Sequence, residues 1–218
     1  DNGYAAQWQE AVTKTEEANK IFCNALPWCE LTVIRQIIEA MPDNWGLHLS
    51  NGTTVRYAQT ADCARLRRVD ANRGVNGIDG STSTAIGAAI ASRHATLLLT
   101  GDMSAQYDFG ALLVEDIPAT FKMVVINNCG GGIFRAIANT HHLPVMPRHL
   151  AGGVILPLEA VCLSRSFGYY RSDNLETLKS EFEALTARTD APCILEAVVP
   201  PETGAEVFKK LYTLYKRH

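Results

Sequence analysis

Two short polar motifs stand directly after two apolar runs of the chain. The first is Gly-Asp-Met-Ser at residues 101–104, and the second is Asn-Asn-Cys-Gly-Gly-Gly at residues 127–132. Short apolar runs bounded by glycine are typical of buried strands. Each motif is therefore expected at the end of a strand, with one helix between the two strands. The arrangement presents a carboxylate from Asp102 and an amide oxygen from Asn128 beside flexible glycines.

These residue types suit a magnesium ion that holds a diphosphate. Mg²⁺ prefers oxygen ligands and often binds through one or two carboxylates plus phosphate oxygens. Asp102 and Asn128 can supply two such oxygens, and a backbone carbonyl near Gly130 can supply a third. Glycines let the backbone approach closely, and the start of a helix at Gly132 would offer free N–H groups to phosphate. Ser104 can donate to a phosphate oxygen or cap its own helix.

Each motif taken alone has a purely structural alternative. Asp102 and Ser104 can cap a helix, and an Asn-Asn pair before glycines can form a turn. Two such motifs after two strands, separated by one helix, favour a metal–diphosphate site over two unrelated turns.

The pair of motifs resembles the signature of thiamine-diphosphate-dependent enzymes, in which Gly-Asp is followed, after a helix and a strand, by Asn-Asn. Gly-Asp-Met-Ser with a later Asn-Asn-x-Gly-Gly-x-Ile-Phe resembles, more narrowly, the 2-succinyl-5-enolpyruvyl-6-hydroxy-3-cyclohexene-1-carboxylate synthases of menaquinone biosynthesis. Three further stretches agree with this family: residues 51–56, residues 72–80 and Tyr107-Asp108. The resemblance extends from about Leu47 to the C-terminus.

The resemblance implies two cofactors, thiamine diphosphate and Mg²⁺. Asp102, Asn128 and the carbonyl of Gly130 would hold the metal. Ile78 would press between the two rings of the cofactor and force its bent conformer. The remaining cofactor-binding residues would be Gly101, Met103, Ser104, Ile133 and Phe134. Ordinary core packing is the alternative for the apolar members of this set.

The family joins a succinic semialdehyde unit, obtained by decarboxylating 2-oxoglutarate, to isochorismate. Both substrates are anionic, and the guanidinium groups of Arg56 and Arg73 suit carboxylates. The relatives carry Asn-Ser where this chain has Asn51-Gly52, so Thr53 is expected to supply the substrate contact of the missing hydroxyl. A surface salt bridge is the alternative for either arginine.

The resemblance also implies that part of the enzyme lies outside this chain. Thiamine-diphosphate enzymes use a glutamate on a separate pyrimidine-binding domain, so no catalytic residue is assigned here. Residues 1–41 are expected to be a helical linker from a middle domain, and residues 42–218 the domain that binds the diphosphate. The chain alone is expected to be inactive, and the full enzyme to be a dimer or tetramer.

Composition excludes several other classes of function. The net charge of −3 indicates no general attraction to nucleic acid or to anionic membranes. No apolar run is long enough to span a membrane, and no secretory signal opens the chain. The six cysteines are scattered without zinc-like spacing, which favours free thiols and a cytoplasmic protein. His141, His142 and His149 are interpreted as loop residues.

Strands alternating with helices predict an α/β fold: a parallel sheet with helices on both faces, the fold of a thiamine-diphosphate-binding domain. Ligands in such sheets lie at the carboxyl ends of the strands. A dinucleotide-binding fold is disfavoured because no Gly-x-Gly-x-x-Gly follows a first strand. The predicted helices are 4–24, 29–41, 52–60, 81–92, 104–115, 132–138, 158–167, 175–188 and 204–216. The predicted strands are 45–50, 65–72, 96–100, 122–127, 169–171 and 193–199, with a loop at 139–153.

Two alternative functions stay open at this point. One keeps the cofactor and changes the reaction, giving another 2-oxoacid lyase or an acetolactate-synthase-like enzyme. The other is a non-catalytic α/β module that binds a partner. Mg²⁺-dependent binding of thiamine diphosphate separates the second alternative from the other readings.

Overall fold

Six parallel strands form the centre of the structure, a computed structural model that describes residues 3–153 and 156–215. The strands are β1 (Gly46–Leu49), β2 (Arg68–Ala71), β3 (Thr96–Gly101), β4 (Phe121–Asn127), β5 (Gly168–Ser172) and β6 (Cys193–Val198). They pair side by side in the order β2-β1-β3-β4-β6-β5, and every pairing is parallel. The predicted parallel α/β fold is confirmed.

Helices follow the strands and cover the sheet. The α-helices are α1 (Tyr4–Asn24), α2 (Glu30–Ala40), α3 (Thr53–Ala58), α4 (Ser81–Ser92), α5 (Asp102–Tyr107), α6 (Gly132–Ala136), α7 (Leu158–Arg165), α8 (Leu175–Ala187) and α9 (Pro201–Tyr215). A short 3₁₀ helix, Phe109–Leu113, follows α5, and a π-helical turn, Met146–Ala151, lies between α6 and α7.

Apolar side chains of the sheet alternate between two hydrophobic clusters. In β3, Leu97 and Leu99 belong to the larger cluster, and Leu98 belongs to the smaller one on the opposite face. Because side chains of a strand point to opposite faces in turn, an apolar strand such as β3 must be covered on both sides. Ala85 and Ala89 of α4 are fully or almost fully buried in the smaller cluster, so this helix packs close to the sheet.

The first two helices differ in how they join the rest of the molecule. The helix α1 has no buried residue in the part of the chain that the structure describes. In contrast, α2 buries Leu31, Ile34 and Ile38 completely within the larger cluster. The assignment of residues 1–41 to a linker stays a prediction, but α2 packs as part of the same core as the sheet.

Two segments differ from the sequence-based expectation. The helix predicted at 104–115 begins earlier, at Asp102, and ends at Tyr107, so Ser104 does not open it. Asp108, the residue after the helix, has a non-helical backbone with a φ of −122°. Its carboxylate accepts hydrogen bonds from the N–H and hydroxyl of Ser83 in α4, at 2.6 and 2.9 Å. The segment 139–153, predicted as a loop, contains the π-helical turn Met146–Ala151. No helix within the described residues is both long and apolar enough to cross a membrane.

Candidate functional site

A cavity of about 450 Å³ lies at the carboxyl ends of the central strands. Its volume falls within the roughly 300–1,000 Å³ typical of small-molecule sites. The cavity brings together every residue that the sequence predicts for the site: Thr53, Arg56, Arg73, Ile78, Gly101, Asp102, Met103, Ser104, Asn128, Gly130, Ile133 and Phe134.

The strand order explains why the cavity forms at this place. The chain passes from β1 to β2 on one side and then crosses to β3 on the other side of β1. The connections leave β1 and β3 in opposite directions, which opens a crevice beyond their carboxyl ends. Asp102 follows β3 directly, and Asn128 follows β4, the next strand in the sheet.

The carboxylate of Asp102 joins the two polar motifs. The side chain is buried, and its Oδ1 accepts a hydrogen bond from the N–H of Met103 at 2.7 Å. Its Oδ2 accepts one from the N–H of Gly130, also at 2.7 Å, across 28 residues of sequence. Burial raises the pKa of this carboxyl to about 6, although both hydrogen bonds favour the charged form. A buried anion with a raised pKa gains from a nearby cation.

The side-chain amide of Asn128 is only half satisfied by the protein. Its Nδ2 donates a hydrogen bond to the Glu30 carboxylate. Its Oδ1 is buried and accepts no hydrogen bond from the described residues. A buried, unpaired carbonyl oxygen costs roughly 1–3 kcal/mol. A metal ion would satisfy this oxygen, so the residues present fit the Mg²⁺ ion that the sequence predicts.

The glycine loop after Asn128 is tightly packed. Gly130 has a φ of +119°, and a Cβ atom there would overlap the carbonyl oxygen of Gly152. The N–H of Gly131 donates to the carbonyl of Ala151 at 2.6 Å, so the π-helical turn holds this loop from outside. The carbonyl of Gly130, the predicted third metal ligand, accepts a hydrogen bond from the N–H of Gly132 at 2.9 Å. A carbonyl oxygen has two lone pairs, so one remains for a metal.

Ser104 contacts the segment that carries Ile78. Its hydroxyl donates to the carbonyl of Ile78 at 2.5 Å. The Ser104 hydroxyl was predicted to donate to a phosphate oxygen, but here its proton is used in the bond to Ile78. This bond holds Ile78 at the cavity wall. In this structure Ser104 therefore positions a neighbouring segment.

Asn51 organises the substrate side of the cavity, although the sequence analysis gave it no role. Its Nδ2 donates to the carbonyls of Asn72, at 2.5 Å, and of Gly77. Its Oδ1 accepts from Arg73 at 3.0 Å. The Arg56 guanidinium donates to the carbonyl of Gly52 at the start of its own helix. Neither arginine forms an ion pair with a carboxylate of the described residues, unlike the partly exposed Arg188, which pairs with Asp190 at 2.9 Å.

Glu30 is a further residue to which the sequence analysis assigned no role. It is the first residue of α2 and is 2% exposed, which is rare for a glutamate. Burial raises the pKa of its carboxyl, while the side chains of Thr53 and Asn128 and the charge of Arg135 act in the opposite direction. An acidic residue in the first turn of a helix ordinarily indicates only a favourable interaction with the helix dipole, so no sequence signal marks Glu30.

No group of three or more His, Cys, Asp or Glu side chains within the described ranges is arranged to hold a metal. The candidate metal site thus depends on a mixed set of one carboxylate, one amide and one backbone carbonyl. Apolar residues line another part of the cavity: Ile133, Phe134 and Leu150, the last of which the sequence analysis did not name.

Comparison with known proteins identifies the relatives of this chain. No family model matches it. The chain is 35% identical over 193 residues to the 2-succinyl-5-enolpyruvyl-6-hydroxy-3-cyclohexene-1-carboxylate synthase of Flavobacterium johnsoniae, and the match covers 88% of this chain and 35% of that protein. The chain is homologous to one segment of these synthases.

Two further synthases of the same name support this assignment. The protein from Porphyromonas gingivalis is 31% identical over 211 residues, which is 96% of this chain and 37% of that synthase. The protein from Christiangramia forsetii is 29% identical over 203 residues, with 93% and 35% covered. The chain thus spans about a third of the length of the synthases it matches. The predicted resemblance is confirmed, and the roles of individual site residues stay predictions.

Proposed function

We propose that this chain is the part of a thiamine-diphosphate- and Mg²⁺-dependent synthase that holds the metal and the diphosphate. The observation that carries the proposal is the juxtaposition at one cavity of the buried Asp102 carboxylate and the unpaired Oδ1 of Asn128. Hard oxygen donors of this kind, one of them anionic, match the ligands that Mg²⁺ takes when a phosphate completes its coordination.

The residues of this chain would divide the work of binding. Asp102, Asn128 and the carbonyl of Gly130 would hold Mg²⁺, and Ile78, Ile133 and Phe134 would offer apolar surface to the organic part of the cofactor. Bound thiamine diphosphate supplies a carbon nucleophile for a keto group and an electron sink for decarboxylation. The protein contributes orientation and a partly dry cavity.

The whole enzyme would decarboxylate 2-oxoglutarate, release CO₂ and join the remaining four-carbon unit to isochorismate. Arg56 and Arg73 line the same cavity as Asp102, as the binding of two anionic substrates requires. Thr53, at the start of α3, lies beside them. The names of the relatives, which are synthases of a succinyl-substituted cyclohexene carboxylate, support this reaction.

Other parts of the enzyme would complete the site. Asp102 is the one acidic residue that lines the cavity in the described part of the chain. As the resemblance to thiamine-diphosphate enzymes implies, a glutamate from a pyrimidine-binding domain would assist ionisation of the cofactor, and the middle domain would join this domain through the N-terminal segment. We place the complete enzyme in the cytoplasm as a homo-oligomer, a dimer or tetramer.

Titration of the protein with thiamine diphosphate, with and without Mg²⁺, tests the metal–diphosphate site. We expect Mg²⁺-dependent binding in the wild type and none in Asp102→Ala, because the substitution removes the anionic ligand. Glu183→Ala, at an exposed carboxylate of α8, is the matched control and should bind like the wild type. Binding that ignores both Mg²⁺ and Asp102→Ala would contradict the proposal and favour a non-catalytic module.

A second assay separates the synthase from another 2-oxoacid lyase. The complete enzyme should form a product from 2-oxoglutarate only when isochorismate is present, and pyruvate should be a poor replacement. Substituting Arg73 by Met should raise the KM for a substrate carboxylate without affecting Mg²⁺-dependent cofactor binding. Equal turnover of pyruvate without isochorismate would indicate an acetolactate-synthase-like or decarboxylase-like reaction.

A further inference from the structure

The carboxylate of Glu30 lies behind the candidate metal site without lining the cavity. It belongs to α2, and its Oε1 accepts a hydrogen bond from Nδ2 of Asn128, 98 residues away in the sequence. Its Oε2 is buried and has no hydrogen-bond partner among the described residues. Burying a carboxylate in this position costs free energy. An apolar residue would be expected here unless the carboxylate performs a task that an apolar residue cannot.

The chemistry of the two side chains fixes how the Asn128 amide is oriented. A carboxylate offers only acceptor atoms when it is charged, whereas an amide has a donor end and an acceptor end. Glu30 therefore selects the orientation in which the NH₂ group faces α2. The amide oxygen is left on the other side of the group, where it makes no hydrogen bond with the described residues.

Two glycines from other helices leave room for this contact. A Cβ atom at Gly132, the first residue of α6, would lie 2.7 Å from Oε1 of Glu30. A Cβ atom at Gly204 in α9 would lie 3.0 Å from the same oxygen. Three helices thus converge on one carboxylate oxygen, and the packing allows the Glu30–Asn128 pair little freedom.

We propose that Glu30 is a positioning residue that keeps the side-chain oxygen of Asn128 turned toward Mg²⁺. This inference rests on the proposed function, because it requires Asn128 to be a metal ligand. Groups that hold metal ligands in orientation commonly contribute about 10–100-fold to metal affinity. The feature that matters is an acceptor oxygen at the correct reach from α2, and the negative charge of Glu30 is secondary.

Three variants distinguish the effect of the position of the acceptor oxygen from the effect of the negative charge of Glu30. Glu30→Gln is neutral but keeps an acceptor oxygen at the same distance, so it should bind metal within about 3-fold of the wild type. Glu30→Met removes the acceptor, and Glu30→Asp keeps the charge but withdraws it by one methylene. Both should weaken metal binding by about 10-fold or more. A role of Glu30 as a charge would give the reverse order for the Gln and Asp variants.

Mn²⁺ titration in the presence of thiamine diphosphate, followed by the electron paramagnetic resonance signal of free Mn²⁺, measures the affinity without any turnover. Circular dichroism checks that each variant is folded. If the wild type binds no Mn²⁺, the proposed function fails. If the wild type binds Mn²⁺ and all three variants bind equally well, only the role of Glu30 fails.

If Glu30→Met and Glu30→Asp do not fold, a measurement on the wild-type protein alone still tests the proposal. The side-chain NH₂ protons of Asn128 should be protected from solvent exchange in nuclear magnetic resonance spectra, both before and after Mg²⁺ is added. Loss of this protection on metal addition would mean that the Asn128 amide changes its orientation when the metal binds. That result would overturn the proposal.

Discussion

Asp102 lies in an environment that disfavours the charged form of its carboxyl. The pKa of its carboxyl is raised to about 6, chiefly by burial and also by the nearby charge of Glu30. Hydrogen bonds from the N–H groups of Met103 and Gly130 only partly offset this effect. Near neutral pH, the ionised Asp102 thus carries a cost that a divalent cation can remove.

This pKa predicts how the stability of the metal-free protein depends on pH. The folded-state value of about 6 exceeds the reference value of 3.8, so the folded state binds more protons between these two values. The contribution of Asp102 to stability is therefore largest below the reference value and falls as pH rises through about 6. Relative to Asp102→Asn, the wild type should lose on the order of 2 kcal/mol between about pH 4 and pH 7.

Urea unfolding at the two pH values, without added metal, measures this difference. Glu183→Gln, which removes an exposed carboxyl, should follow the wild-type pH profile. Profiles of the wild type and Asp102→Asn that run parallel would show that burial does not raise the pKa of Asp102.

Asn51 allows a second test at the level of one side chain. Asn51→Asp keeps the oxygen that accepts from Arg73 but replaces the donor to the carbonyls of Asn72 and Gly77 with a second oxygen. The variant should lose about 1–3 kcal/mol of stability, because two part-buried carbonyls lose their donor. Hydrogen exchange of residues 72–80 should accelerate at the same time.

Asn24→Ala, at an exposed position at the end of α1, is the control for Asn51→Asp and should leave both measurements unchanged. Unaltered exchange in residues 72–80 of Asn51→Asp would mean that other contacts hold this segment.

At the scale of elements, the glycine loop and the π-helical turn form one packed unit. The N–H of Gly131 donates to Ala151, and Gly130 has no room for a side chain beside Gly152. The turn therefore fixes the position of the Gly130 carbonyl, the proposed metal ligand.

Gly130→Ala should destabilise the protein by more than about 2 kcal/mol, because it combines a positive φ with direct overlap of a neighbouring carbonyl. Gly74→Ala is the matched control, since a Cβ atom there would meet nothing within 4 Å, and it should change stability by less than about 0.5 kcal/mol. Thermal unfolding of the two variants makes the comparison. Equal melting temperatures would show that the loop and the turn can separate at little cost.

The sequence predicted the elements that carry strong local signals. The strands before Asp102 and Asn128 have apolar centres, Leu97–Leu99 and Met123–Ile126, so their ends and the polar residues beyond them could be located from the pattern alone. The end of α5 could not be located, because the pattern does not show that Asp108 leaves the helical conformation and contacts Ser83 in another helix. Glu30 could not be found either, since its significance comes from a partner 98 residues away.

At the scale of the whole molecule, the site depends on groups from many parts of the chain. Four different strand ends lead to Asn51, Arg73, Asp102 and Asn128, and α2 supports the last of these from behind. The cavity is nevertheless lined by a single acid in the described residues. By the proposed function, the catalytic glutamate would belong to another domain.

The 218-residue protein alone should therefore give little or no product from 2-oxoglutarate and isochorismate. The physical reason is that the proposed general acid–base group and half of the cofactor pocket would be missing. Chromatographic detection of the condensation product measures activity, with a complete synthase as the positive control. Turnover by the isolated chain at the rate of the complete enzyme would refute the proposal that other domains supply the catalytic glutamate and part of the cofactor pocket.

The burial of α2 has a practical consequence for anyone who trims this protein for expression. Removal of α1 would take away a helix without fully buried residues, and of its side chains Phe22 packs against the larger cluster. Removal of everything before Pro42 would also delete α2, and with it Leu31, Ile34, Ile38 and Glu30. The shortened protein would expose a large apolar surface and is expected to aggregate into inclusion bodies. A purification scheme should therefore begin the polypeptide no later than Trp28.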